Sequence, residues 1–311
     1  MKDKDTILLA EAYSKIEVIS EQRDSAFWNN WLENYRNPFV SSSNRSFEHY
    51  KRNADNTITI SSSVDLKGMK LTSLTEMPFI IKHVEGSFDI SENELNSLQG
   101  CPEIVDFSFN CSKNLLTNLE GGPKEVNAEL SQNYICSDNP NLISLKGIAQ
   151  FTGGIDAQNC NLSTLDWMPE VCKGSLKING NLNLKSLVGA PKKVESYIDC
   201  SETSIETLIG CPQEVSSIFC SNIKTLISFK GAPEKLTHNE YSHTRAVFAY
   251  SCDNLKSLEF LPEADEYHLD YRFSSQLEEI KKQREVDKMA DTISDDPNDV
   301  FVKTFKDFSK F

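Results

Sequence analysis

The chain has 311 residues, 39% of them hydrophobic and 25% charged, the proportions of a folded protein and not of a disordered one. Its 46 Asp and Glu against 32 Lys and Arg give a net charge of −14, which works against general binding to nucleic acid or anionic lipid and leaves basic partners open. No run approaches the about 18 apolar residues that span a bilayer, and the opening MKDKDTILLAEAYSKI is charged where a signal peptide needs an apolar core; a cytoplasmic location, no membrane association and reduced cysteines are expected.

Residues 1–55 read as a helical N-terminal cap. Ile7, Leu8, Ala12, Ile16 and Ile19 fit one helical face, and Phe27, Trp28, Trp31 and Tyr35 fit a second helix that Pro38 ends. A repeat array exposes the core of its first coil, so this aromatic layer is expected to pack over Ile58, Ile60 and Val64.

Residues 56–272 repeat. Pro recurs at 78, 102, 123, 169, 191, 212, 233 and 262, with Ala149 in the one double gap, each four residues after a Leu or Phe. Ahead of these stand apolar pairs two residues apart: Val64/Leu66, Phe88/Ile90, Phe109/Cys111, Tyr134/Cys136, Ile155/Ala157, Leu176/Ile178, Ile198/Cys200, Ile218/Cys220, Phe248/Tyr250 and Leu269/Tyr271. Alternation with period two marks a short strand whose middle side chain faces out. A unit this short cannot bury its own apolar face, so ten coils stack into a solenoid with a parallel sheet roughly 45 Å long. Asn93, Asn114, Asn139 and Asn181 follow the strands, where a buried amide can satisfy a turned backbone; Cys160, Thr203, Ile223 and Asp253 hold that place elsewhere.

The middle residues form one row: Asp65, Asp89, Asn110, Ile135, Asp156, Lys177, Asp199, Phe219, Ala249 and Asp270. Carboxylates there keep an exposed sheet soluble. The functional reading is an acidic groove, with Ile135 and Phe219 as apolar anchors, that docks a basic protein surface. The segments 79–87, 124–133 and 234–247 are long for loops of this repeat. The last carries His238, Tyr241, His243 and Arg245, so Tyr241 and Arg245 mark a second contact site.

Cys111, Cys136, Cys200 and Cys220 share one repeat position and read as small buried core residues. No G-x-x-x-x-G-K-[ST], H-E-x-x-H or G-x-S-x-G string occurs. No catalytic set, metal site or cofactor is therefore expected, and the chain reads as a non-enzyme.

Residues 273–311 read as a helical C-terminal segment: a charged helix SSQLEEIKKQREVDKMADTI, a turn SDDPND, then VFVKTFKDFSKF. Phe301, Phe305 and Phe308 lie on one helical face, with Phe311 a turn on. They serve either to cap the last coil over Leu269 and Tyr271 or to bind a groove on a partner or a second copy of the chain.

The unit S-x-N-x-L-x-S-L-x-G-x-P, seen in SKNLLTNLEGGPKEV (112–126) and SETSIETLIGCPQEV (201–215), resembles the leucine-rich-type repeat of tailed bacteriophages. It is also similar to the short leucine-rich repeats of secreted bacterial effectors. The resemblance implies a leucine-rich-repeat-type solenoid with its short parallel strands on the concave face. It further implies a phage protein that acts in the infected bacterial cytoplasm by binding a host protein, for example to inhibit a defence factor. The effectors carry a catalytic domain with a Cys nucleophile after the repeats; no Cys follows Arg272 here, so that activity is not carried over. An acidic nucleic-acid mimic and a virion structural component are the alternatives.

Overall fold

A computed structural model describes residues 24–34, 49–127, 133–150, 153–238 and 244–293. Ile7 to Ile19, Tyr35, Pro38, Tyr241, His243 and Phe301 to Phe311 lie outside these residues. The elements run α1 (Ser25–Asn34), β1 (Tyr50–Arg52), β2 (Ile58–Ile60), β3 (Val64–Asp65), β4 (Ile81–Val84), β5 (Phe88–Asp89), β6 (Ile104–Val105), β7 (Phe109–Asn110) and β8 (Glu125–Val126). They continue with β9 (Asn133–Ile135), β10 (Gly154–Asp156), β11 (Val171–Cys172), β12 (Leu176–Lys177), β13 (Lys193–Val194) and β14 (Tyr197–Asp199). Last come β15 (Ser217–Phe219), β16 (Ala246–Ala249), β17 (Glu266–Leu269), a 3-10 turn at Tyr271–Phe273, and α2 (Ser274–Ile293).

The chain is a parallel-strand β-solenoid of about ten turns. Strands β3, β5, β7, β9, β10, β12, β14, β15, β16 and β17 form one ten-stranded sheet in that order, every pair parallel. Its inward residues, from Val64 and Leu66 to Cys220, are buried in one continuous core. Each inward Asn ties two coils together. The Asn139 side-chain amide donates to the carbonyls of Cys111 (3.1 Å), Cys136 (3.0 Å) and Ser137 (3.3 Å), and its oxygen accepts from Leu116 N–H (3.2 Å). The residue before it, Asp138, is held in the left-handed region at φ 55°, a cost of about 1–2 kcal/mol for a non-glycine that these bonds offset.

Sequence periodicity misassigns β16 by one residue and β17 by two. Ile218 pairs with Val247 and Phe219 with Phe248; Phe248 in turn pairs with His268 and Ala249 with Leu269. Val247 and Ala249 are therefore the inward residues of β16, both fully buried, and Phe248 and His268 join the outward row. Asp270 falls beyond the strand, and Tyr271 is 92% exposed. A slip of one residue exchanges the two faces of a strand. The runs AVFAY and EYHLDY both admit two apolar-x-apolar frames, and the chosen frame puts small Val and Ala inside while the rings stack outside.

A second sheet was not expected. β2, β4, β6 and β8 pair in parallel, β1 closes their edge antiparallel, and β11 with β13 and the bridge Lys193–Glu214 repeat the pattern further along. The segments 79–87 and 124–133 therefore carry strands. The signal is one apolar residue three positions after every Pro of the series but Pro262: Ile81, Val105, Val126, Cys172, Val194, Val215 and Leu236, all buried. A single apolar residue among charges shows no alternation, so periodicity is blind to it.

At the N-terminal end Asp24 accepts from Phe27 N–H (2.8 Å) to start α1. Trp28 and Leu32 are buried in the common core, and Trp31 stacks on Phe79 at 6.5 Å. At the other end Phe273, Leu277 and Ile280 pack on the core, and Arg284 of α2 donates to Tyr267 Oη (2.5 Å) and Pro262 O (3.3 Å). Among the described residues no helix is long and apolar enough to cross a membrane.

Candidate functional site

The outward row of the ten-stranded sheet gathers most of the expected site residues. Register sets Asp89, Asn110, Ile135, Asp156, Lys177, Asp199 and Phe219 side by side along the stack. Ser87, Ser108, Ser175 and Ser217 precede the inward residues of their strands and keep the flank of this row small and polar.

The carboxylates have a local task. Asp65, Asp89 and Asp199 each accept from the N–H two residues on, at 2.9, 2.8 and 3.0 Å, and Asn110 does the same with Ser112 N–H (3.1 Å). These Asx turns end the strand and lead the chain into the left-handed corner. Asn110 also donates to Asp89 Oδ2 (3.1 Å), one coil away. Asp156 is only 16% exposed, with Lys177 Nζ at 3.8 Å. Burial pushes its carboxyl up, opposed by the Gln158 N–H and by Lys177. The second oxygen of Asp89 and of Asp156 is also engaged, by Asn110 in the one case and by Lys177 and Gln158 in the other.

From Asp199 onward the row turns aromatic. The Tyr197 ring meets Phe219 edge-on at 5.2 Å, Phe219 stacks on Phe248 at 4.4 Å and 4°, and Phe248 stacks on His268 at 4.3 Å and 1°. Tyr250, 43% exposed, lies tilted 6.4 Å from His268, whose Nε2 is 3.1 Å from Glu266 Oε2. Rings stacked this tightly turn their faces to one another and their edges to solvent, making an apolar ridge and not a stacking platform for sugars or bases. Phe248, Tyr250 and His268 were missed in the sequence because the frame of the last coils hid them, and Tyr197 because it precedes its strand's inward residue, outside the row of middle residues; the run of Phe219, Phe248 and His268 at one repeat position was the available signal.

The structure does not bring Asp270 or Arg245 into this row. Asp270 accepts from Ser251 N–H (3.1 Å) and pairs with Arg272 (3.4 Å). Arg245, expected as an exposed anchor, is buried. Its guanidinium grips both oxygens of Asp265, at 3.2 Å (Nε) and 2.5 Å (Nη2), and donates to Leu236 O (3.1 Å). This pairing holds the Asp265 carboxyl well below the usual carboxylate range and fastens the ends of the 234–247 loop.

All nine cysteines are free, eight buried and Cys101 half-buried. Burial pushes the thiols of Cys111, Cys136, Cys200 and Cys220 well up, which suits core packing and not nucleophilic attack. Among the described residues no group of three or more His, Cys, Asp or Glu is placed to hold a metal ion. No protein-family model, curated protein or solved structure matches the chain.

Proposed function

We propose that this chain is a non-enzymatic, leucine-rich-repeat-type solenoid, capped at its N-terminal end by residues 1–55, that binds a protein partner across the outward face of its ten-stranded sheet. The observation that carries the reading is the ridge Phe219–Phe248–His268 beside Asp199 on a face whose other outward residues, Ile135 and Tyr197 apart, are polar or charged. Solubility gives no reason for aromatic side chains there, whereas anchoring a partner with carboxylates at the rim accounts for both kinds of residue. A basic partner surface fits the charge. The repeat's resemblance to bacteriophage sequences supports a phage protein in the infected cytoplasm that modulates a host factor.

Nucleic-acid mimicry fits less well. Lysines pair with carboxylates one coil away, as in Lys113–Glu92 (2.9 Å), Lys124–Glu103 (3.1 Å) and Lys146–Glu120 (2.8 Å), which breaks up any continuous anionic line. The test is capture of host proteins from bacterial lysate by the tagged full-length chain. The parent should retain a partner that Phe219→Ala with Asp199→Lys loses. Equal recovery by both would reject this face as the binding site.

A further inference from the structure

The ten-stranded sheet ends without a closing strand. In earlier coils the inward residues send their N–H groups forward: Cys136 to Asp156 O, Cys200 to Phe219 O and Cys220 to Phe248 O, each at 2.8 Å. Tyr267 and Leu269 hold the same place in β17, and among the described residues no backbone or side-chain acceptor takes their N–H groups. α2 meets the Tyr267 hydroxyl and ring, Leu261 and Pro262 through Arg284 and Lys281, and none of these contacts takes the N–H groups of Tyr267 and Leu269. The aromatic stack stops at the same point, because both ring contacts of His268 are to the preceding coil. An open edge with unpaired main-chain groups is a pairing site that folded proteins ordinarily cover. This one is rimmed by the carboxylates of Glu266 and Asp270.

Beyond α2 the sequence holds a segment of complementary chemistry. Residues 300–311, VFVKTFKDFSKF, contain four Phe and three Lys against one Asp. We propose that the open edge of β17 and the outer side of His268 receive this segment of the same chain, a Phe ring extending the stack and its lysines facing Glu266 and Asp270. Arg284 of α2 already lies against Tyr267, so the return from Ile293 spans about 14 Å by helical rise, or about four extended residues, which leaves Phe301, Phe305 and Phe308 within reach of β17. The occupant is the chain itself, and the inference stands whether or not the partner reading holds.

The test is disulfide trapping in the full-length chain. Glu266→Cys is combined in turn with Phe301→Cys, Phe305→Cys and Phe308→Cys, against Asp65→Cys at the opposite edge of the sheet as the distant control. The native thiols interfere little, being buried with one half-buried exception. At least one Glu266→Cys pair should close within the chain about tenfold faster than its control, as tethering raises the effective concentration of a docked segment. Amide exchange gives a second readout: Phe305→Ser with Phe308→Ser should speed exchange at Tyr267 and Leu269 about tenfold. Rates equal to the control, unchanged exchange, or disulfides formed between chains would each overturn the proposal, the last by making a second copy the occupant. Failed partner capture by Phe219 variants bears on the face and leaves these outcomes untouched.

Discussion

The coils from Asn93 to Asn181 are held together from the inside, and those from Ile198 to Leu269 from the outside. In the first region four buried Asn side chains each bridge the backbone of adjacent coils, and Asp89, Asn110 and Asp156 of the outward row each close an Asx turn. In the second, Thr203, Ile223 and, because Ala249 is the inward residue of β16, Cys252 in place of the expected Asp253 occupy the Asn position. Thr203 still donates to Cys200 O (2.8 Å), but Ile223 has nothing to give, and aromatic rings stack on the surface instead. Cohesion that one region draws from polar bonds in the core, the other draws from apolar contact on its exterior. A surface that must hold its own coils and also anchors a partner has two reasons to be aromatic, and the comparison can separate them.

The largest effect should come from what both regions share. Leu119→Asp in the first and Leu208→Asp in the second each bury an unpaired carboxylate in a fully enclosed position, costing several kcal/mol. Either should abolish cooperative unfolding followed by circular dichroism; a parent-like melt would show that the two regions do not share one core. Asn139→Ala should cost about 3 kcal/mol, because three carbonyls and one N–H lose their partner at once. Thr203→Ala, its counterpart, has one such bond and should cost about 1 kcal/mol in the same denaturant titration. Equal costs would erase the distinction between inside and outside cohesion.

Phe248→Ala should destabilise by about 1–2 kcal/mol through lost stacking on both sides, read from the denaturation midpoint. Phe248→Leu restores most of the volume. If it recovers stability while partner capture stays lost, the rings serve recognition beyond cohesion; recovery of both would make the stack mainly structural. The smallest effect concerns pH. The folded pKa of Asp265 lies below its unfolded value because of Arg245. Its contribution is therefore complete above the unfolded value, about 4, and is lost as pH falls towards the folded one. Asp265→Asn should flatten the acid limb of the stability profile while leaving the aromatic ridge unaltered; an unchanged limb would show that the pair does not fasten the loop.

The repeat was legible because burial imposes it locally. Every coil needs two inward side chains, a corner and a stop, so the apolar pairs, Asn139 and its counterparts, and the Pro series stand in the sequence wherever the coil does. The C-terminal helix was legible from its run of charged, helix-favouring residues between Ser274 and Ile293. The second sheet was not, since a single apolar residue among charges shows no alternation, and neither was the frame of β16 and β17. There both frames satisfy the local rule, and the choice was made by which side chains fit against Ile218 and Phe219 of the coil before. The fate of Arg245 was likewise decided in three dimensions: its carboxylate partner lies twenty residues on and becomes its neighbour only when the coils stack. Local alternation determined that this chain is a solenoid and where most of its strands lie; contact between coils, which has no expression within a single repeat, decided which residues its outer face presents.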